Sequence, residues 1–355
     1  MLPFMVVMYF YVLIGFGDLN IPTSFDYALL FAFVVNGISY IEYPNSKFNK
    51  RVMWFSLILL VITSITTITV LLVDENASRI LTSSSSEDGL KLLYKKLNVG
   101  SFRFVYGLVI IIPIIVYYLR SKRNLLERVI LLLITALFVY VVLLSNFTTA
   151  LILLFLDFGI ILITCLNLKS KTSFFTVSFI VIVFVPFFLT FFLDFMIGMT
   201  DSLYSQGKLT GIMDVIHGEG SYDDTTTRGR LFITSLKSFL ESPLWGVGAW
   251  YSQAYYRIVG QHAQFVDDLA RYGLIGFVPL MSFFVFGVKK VYYAFNEKFF
   301  FNRKVLGPIV VYVALGFLDP IYNEGMLASM FIVVPVINYL IYEKKENTIF
   351  NRLQA

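Results

Sequence analysis

Apolar residues in this chain come in long blocks, not in the alternation of a strand or the one-sided stripe of a soluble helix. About ten blocks read as helices, near 2–17, 27–43, 52–73, 105–119, 129–145, 149–168, 173–193, 272–288, 305–318 and 326–342. A bilayer-crossing helix needs about 17 to 25 mostly apolar residues, because its backbone must satisfy its own hydrogen bonds across ~30 Å of hydrocarbon. The pattern predicts an all-α integral membrane protein, a single polytopic domain over residues 1–355. Polar stretches between the blocks are short, with two exceptions at 74–104 and 194–271.

Composition agrees with this picture. The chain is 58% hydrophobic and 14% charged, where a soluble domain carries about 25% charged residues. A soluble globule, a disordered chain and a secreted disulfide scaffold are all excluded. The net charge of +5 reports topology in such a chain and gives no reason to expect nucleic acid. Summed over alternate loops, 17 of the 28 basic residues fall on one side, in clusters such as Lys47, Lys50 and Arg51 or Arg120, Lys122, Arg123 and Arg128. Acidic residues gather on the other side. The positive-inside rule then predicts a multi-pass protein of the cytoplasmic membrane with both termini cytoplasmic and the loops 74–104 and 194–271 outside. The first block starts Met1-Leu2-Pro3-Phe4 without a basic run or a small-residue cleavage site, and reads as a retained span.

One cysteine, Cys165, and two histidines, His217 and His262, are too few for a zinc site or an internal disulfide. The residues call for no metal and no cofactor. No Gly-rich phosphate loop of the Walker or Rossmann kind is found, which disfavours ATP-driven pumping and cytoplasmic nucleotide-sugar chemistry. No internal repeat supports an inverted-repeat transporter. Asp157 is the one carboxylate inside a predicted span, a functional candidate by position that could also bond Thr164.

Chemistry therefore concentrates in 194–271, far longer than a helix connection requires. A turn-rich polar run, 217–227, precedes Arg228-Gly229-Arg230. From there Phe232, Leu236, Phe239 and Leu240 recur at helical spacing, with Thr227 as the candidate cap and Pro243 as the stop. This apolar face reads as a helix lying on the membrane surface. Next come Pro243-Leu244-Trp245-Gly246-Val247-Gly248 and the aromatic run Trp250, Tyr251, Tyr255 and Tyr256. The segment from Gly260 through His262, Asp267, Asp268 and Arg271 to Tyr272-Gly273-Leu274-Ile275-Gly276 then enters the eighth block.

These motifs, over residues 228–276, resemble the outer-loop signature of the O-antigen and capsular polysaccharide polymerase and O-antigen ligase superfamily of bacterial membrane glycosyltransferases. In that signature an Arg heads a helix, a Pro-Leu-x-Gly-x-Gly turn follows, and a His segment leads through Tyr-Gly-x-x-Gly into a membrane helix. The resemblance implies a GT-C-like fold with 194–271 as an extracytoplasmic catalytic loop. It implies a polysaccharide polymerase that moves a glycan from polyprenyl pyrophosphate to a lipid-linked repeat unit, with a chain-length regulator and a flippase as possible partners beside the bilayer. The alternatives are an O-antigen ligase using lipid A core as acceptor and a lipid-linked oligosaccharide transporter. Ala263 stands where many members have Asn, and Ser145-Asn146-Phe147 stands where many have a Ser-Arg pair, so Arg103 or Arg79 is the candidate replacement.

The leaving group of such a reaction is a pyrophosphate, so the enzyme supplies charge stabilisation and a base. Planar guanidinium groups suit the first task, which assigns Arg228, Arg230, Arg271 and Arg103 to substrate. His262 suits the second, with Asp267 or Asp268 as the alternative base. Arg271 could instead pair with Asp267 or Asp268 along one helix. On one straight helix from 262 to 271, nine steps turn about 900° and put His262 and Arg271 on opposite faces. Trp250 is a candidate platform for a sugar ring.

Overall fold

The computed structural model describes residues 21–42, 46–81, 88–121, 124–145, 147–165, 223–247, 259–260, 262–293 and 305–341, with isolated positions between 190 and 213. The described residues are helical with no strand. In chain order they form α1 (Ile21–Glu42), α2 (Ser46–Leu71), α3 (Ala77–Ile80), α4 (Asp88–Lys96), α5 (Phe102–Ser121), α6 (Leu125–Leu144), α7 (Thr148–Cys165), α8 (Asp223–Glu241), α9 (Gln264–Tyr293) and α10 (Leu306–Leu318). The last helix, α11, begins at Glu324–Ala328 and passes through a π-helical turn, Ser329–Val333, within the apolar span Glu324–Ile341.

Five of these helices are long and apolar enough to cross a membrane, and three shorter apolar helices accompany them. Together they account for eight of the ten blocks read from the sequence. The block 2–17 lies outside the described residues, as does nearly all of 173–193.

One helix organises the rest. Helix α5 is apolar on every side, and Val105 and Leu108 through Ile112 are fully buried, as expected of a helix enclosed by others. It packs against α6, α7, α10 and α11. Its approach to α11 is close because Gly107 faces Gly325 and Ser329, and a Cβ on Gly107 would stand 2.9 Å from the Ser329 Oγ. Small residues facing each other in this way let membrane helices approach closely. By contrast α2 and α6 each leave one apolar side exposed, for example Phe55, Ile58 and Ile62 on α2. That is the side a bilayer covers.

The junctions at one end of the bundle meet. The Tyr106 hydroxyl at the start of α5 donates to Asp319 Oδ2 after α10 (2.9 Å). Tyr27 near the start of α1 packs on Tyr322, with ring centroids 5.4 Å apart. The Arg79 guanidinium lies over the Phe147 ring, which is near Tyr106 in turn. Arg103 is exposed at this same end, its guanidinium 5.8 Å from the Phe102 ring. The sequence-derived topology assigns all these junctions to one side of the membrane, and they are found together.

Asp157 lies within α7, fully buried. It does not bond Thr164, whose hydroxyl instead donates to the backbone of its own helix at Ile160 and Ile161. Neither carboxyl oxygen of Asp157 has a hydrogen bond among the described residues, and Oδ1 faces the Gly307–Pro113 contact between α10 and α5.

Candidate active site

The glycines of the loop motif explain its spacing. Helix α8 ends at Glu241, before Pro243, and the chain turns through Gly246 with φ +73°. Helix α9 breaks at Gly273, where φ 55° and ψ −167° belong to a region that essentially only glycine occupies. The turn and the break interlock. Val247 N donates to Ala270 O (2.9 Å), Leu274 N to Pro243 O (2.9 Å) and Ile275 N to Leu244 O (3.1 Å). The turn carbonyls thus satisfy amides that the broken helix ladder leaves open. The backbones touch so closely that a Cβ on either glycine would stand 2.5 Å from the other's amide nitrogen. The Pro-Leu-x-Gly and Tyr-Gly motifs are two halves of one joint.

A second joint holds the His262 segment. Ser235 is buried on α8, where it accepts from Gly260 N (2.8 Å) and donates to Asp267 Oδ1 (2.6 Å). Asp267 Oδ2 accepts from Ala263 N (3.1 Å) at the start of α9. The carboxylate therefore ties α8, the His262 loop and the first turn of α9 together. With both oxygens engaged in structure, Asp267 is poorly suited to the alternative-base role. Removing Ser235 strands the Gly260 amide, and turning one Asp267 oxygen into an amide NH2 leaves one of its two donors without an acceptor, each loss being worth about 1 to 3 kcal/mol. We expect Ser235→Ala and Asp267→Asn each to lower the thermal unfolding temperature in detergent. Because they break one network, the double variant should cost clearly less than the sum of the two; additive effects would refute the shared network.

Asp268, the next residue, meets a different set of partners. It is fully buried. Its Oδ1 accepts from the Tyr27 hydroxyl, contributed by a helix 241 residues away in sequence, and from Gln264 Nε2 (3.0 Å). Its Oδ2 has no full hydrogen bond, although the Tyr322 hydroxyl is close enough to interact with the carboxyl. The Tyr27 and Tyr272 rings meet edge to face, with centroids 5.8 Å apart. Arg271 is half-buried beside this group, and its guanidinium acts electrostatically on Tyr27, Tyr272, Asp268 and Asp267. Among the described residues that guanidinium has neither an ion pair nor a hydrogen bond. The simple i to i+4 or i to i+3 bridge considered from the sequence is therefore not formed.

His262 is half-buried in the loop ahead of α9, which begins at Gln264. The straight helix from 262 to 271 is thus corrected: His262 is not on it, and the opposite-face argument does not apply. Thr227 is also reassigned, because α8 begins at Asp223 and places Thr227 inside the helix. Arg228 is in α8 one turn before the Leu231 carbonyl that packs on Gly260, and Arg230 is exposed. The serine side of α8, Ser235 and Ser238, faces the protein, while Phe232, Leu236 and Leu240 remain exposed. That leaves the expected membrane-facing stripe unpacked. Trp250 lies outside the described residues, as does the polar run up to Tyr222.

Sequence reasoning misses the tyrosines Tyr27 and Tyr322, and it gives Tyr272 no role beyond its place in the motif. Aromatic residues at the ends of predicted spans read as interfacial belts, and nothing local distinguishes those that converge on a carboxylate.

Residues 132–281 match the family model described as O-antigen ligase. The match supports a place for the chain in the O-antigen ligase and polymerase superfamily. No curated protein matches the chain. Members of this superfamily are membrane glycosyltransferase-like enzymes. The matched stretch runs from α6 past the Gly273 break, so it contains both joints, His262 and Arg271. Tyr27 and Tyr322, which complete the surroundings of Asp268, lie outside it.

Proposed function

We propose that this protein is a polysaccharide polymerase of that superfamily, transferring a glycan from polyprenyl pyrophosphate to the sugar hydroxyl of a lipid-linked repeat unit. The observation that carries the reading is the Arg271 guanidinium, half-buried and free of protein hydrogen bonds among the described residues, close behind the His262 loop. A half-buried guanidinium whose donors make no hydrogen bond to the protein suits an anion that arrives with the substrate. Arg271, with Arg228 and Arg230 from α8 and Arg103 across the same end, binds the pyrophosphate. His262 takes the proton of the acceptor hydroxyl as the new glycosidic bond forms, and the polyprenyl pyrophosphate departs with the electrons of the broken bond. Asp268 and its tyrosines orient Arg271. The interlocked glycine joint fixes the arginine relative to the histidine.

Purified protein given lipid-linked repeat units in detergent should build a ladder of longer glycans without ATP, nucleotide sugar or added metal. The energy lies in the pyrophosphate linkage. The family description favours a second reading, the O-antigen ligase. It predicts no ladder with repeat units alone and one transfer product when lipid A core is supplied. Absence of product with either acceptor would remove both readings and leave the transporter.

The proposed site faces the outside. With Cys165→Ser as background, single cysteines at Ser85 and Ser221 should react with an impermeant thiol reagent in intact spheroplasts, and one at Ser170 should not. The reverse labelling would invert the topology and assign the site to the cytoplasm.

A further inference from the structure

Helix α4, Asp88–Lys96, is outside the catalytic loop and outside the bundle core. Its Leu90 and Leu93, with Leu97 just beyond, recur at i, i+3 and i+7 and are 36%, 47% and 45% exposed. That spacing makes one apolar stripe. Lys91, Lys95 and Lys96 lie off it, as does the exposed Leu92, and Tyr94 points inward. Tyr94 anchors the helix by donating to Asp74, and this hydrogen bond is the main reason its phenol is pushed up to about 12. The anchor stays protonated at any working pH.

The depth of the helix is fixed by the turn that leads from it into α5. Asn98, in a left-handed conformation with φ 55°, donates through Nδ2 to Thr63 Oγ1 (3.0 Å), and its carbonyl accepts from Thr66 Oγ1 (2.9 Å). Gly100 N donates to Thr67 Oγ1 (2.8 Å). These threonines lie four to eight residues before the end of α2 at Leu71, which is roughly 6 to 12 Å inboard at 1.5 Å per residue. The C-terminal end of α4 is therefore level with Ile62 and Ile65, which belong to the exposed apolar side of α2. Leu97, next to Asn98 in the chain, is at this depth and is exposed.

We propose that Asp88–Lys96 is an interfacial helix seated in the adjoining leaflet, with Leu90, Leu93 and Leu97 in the acyl-chain boundary and its three lysines on anionic phospholipid headgroups. Interfacial helices bury such a stripe about 5 to 10 Å into this boundary and add the attraction of basic residues for anionic lipid. A second copy of the chain is the poorer occupant, because facing lysine clusters would repel.

Nitroxide labels on single cysteines in a Cys165→Ser background test this in vesicles of phosphatidylcholine with phosphatidylglycerol. Labels at Leu93 and Leu97 should collide with oxygen and be shielded from a water-soluble nickel chelate, with a collision ratio several-fold above that of a label at Lys95. Equal ratios at Leu93 and Lys95 would overturn the proposal, as would shielding of Leu93 from both reagents, the mark of a protein contact. In phosphatidylcholine alone, or with Lys91, Lys95 and Lys96 changed to Gln, the Leu93 label should shift outward. An unchanged depth in both would refute the headgroup contacts. No sugar transfer is measured, so the outcome is separate from that of the proposed activity.

Discussion

Gly273→Ala should abolish activity and lower the thermal unfolding temperature more than any other single substitution at the site. Two penalties combine. The φ and ψ of Gly273 lie where a side chain costs about 1 to 3 kcal/mol. The new Cβ would also press against Leu244 O and Gly246 N, which are backbone atoms and cannot rotate away. Relieving the clash means breaking the bonds of Leu274 and Ile275 to the turn carbonyls. The joint as a whole should lose roughly 3 to 5 kcal/mol. Gly246→Ala should behave alike, because it meets Arg271 O and Gly273 N from the other side. Gly89→Ala is the control, since nothing lies within 4 Å of its Cβ position; it should be neutral or slightly stabilising in a helix. Wild-type unfolding of Gly273→Ala would show that the break in α9 is not held by the turn.

Arg271→Ala should slow elongation by roughly a hundredfold, the equivalent of about 3 kcal/mol, if its guanidinium meets charge that develops on the departing pyrophosphate. Arg271→Lys should recover little of this. An ammonium keeps the charge but loses the planar fork that binds two phosphate oxygens at once. His262 gives the contrasting pattern. His262→Ala should lower kcat while lipid-linked substrate still binds, as expected for a lost base. His262→Gln separates proton transfer from positioning, because an amide can hold a hydrogen bond but cannot take the proton. Near-normal turnover with Gln and loss with Ala would reduce His262 to positioning the acceptor, and Asp268 would be the base to test next. Normal turnover in Arg271→Ala at wild-type protein levels would move the phosphate contact to Arg228 or Arg230.

The sequence by itself determined the solvent of this protein and marked out its candidate motifs. Apolar blocks and sparse charge leave only a membrane helix bundle, and eight of the predicted blocks are found as helices because helix formation in lipid is decided locally, by length and hydropathy. The Pro243 to Gly248 run and the His262 to Gly276 run were legible as motifs because their residue types are unusual in a membrane chain. Tertiary structure alone decided what those motifs do. Gly246 and Gly273 are 27 positions apart, and only the folded chain reveals that each needs the other's backbone. Asp267 and Asp268 look interchangeable in sequence. Adjacent helix positions point about 100° apart, so one carboxylate ties Ser235 and Ala263 while the other meets Tyr27 from the start of the described chain. Periodicity reports which side of a helix is apolar, but it carries no information about which distant helix will supply a partner. That pairing is set by how α1, α9 and the junction before α11 pack, and so the surroundings of Asp268 and Arg271 exist only in three dimensions.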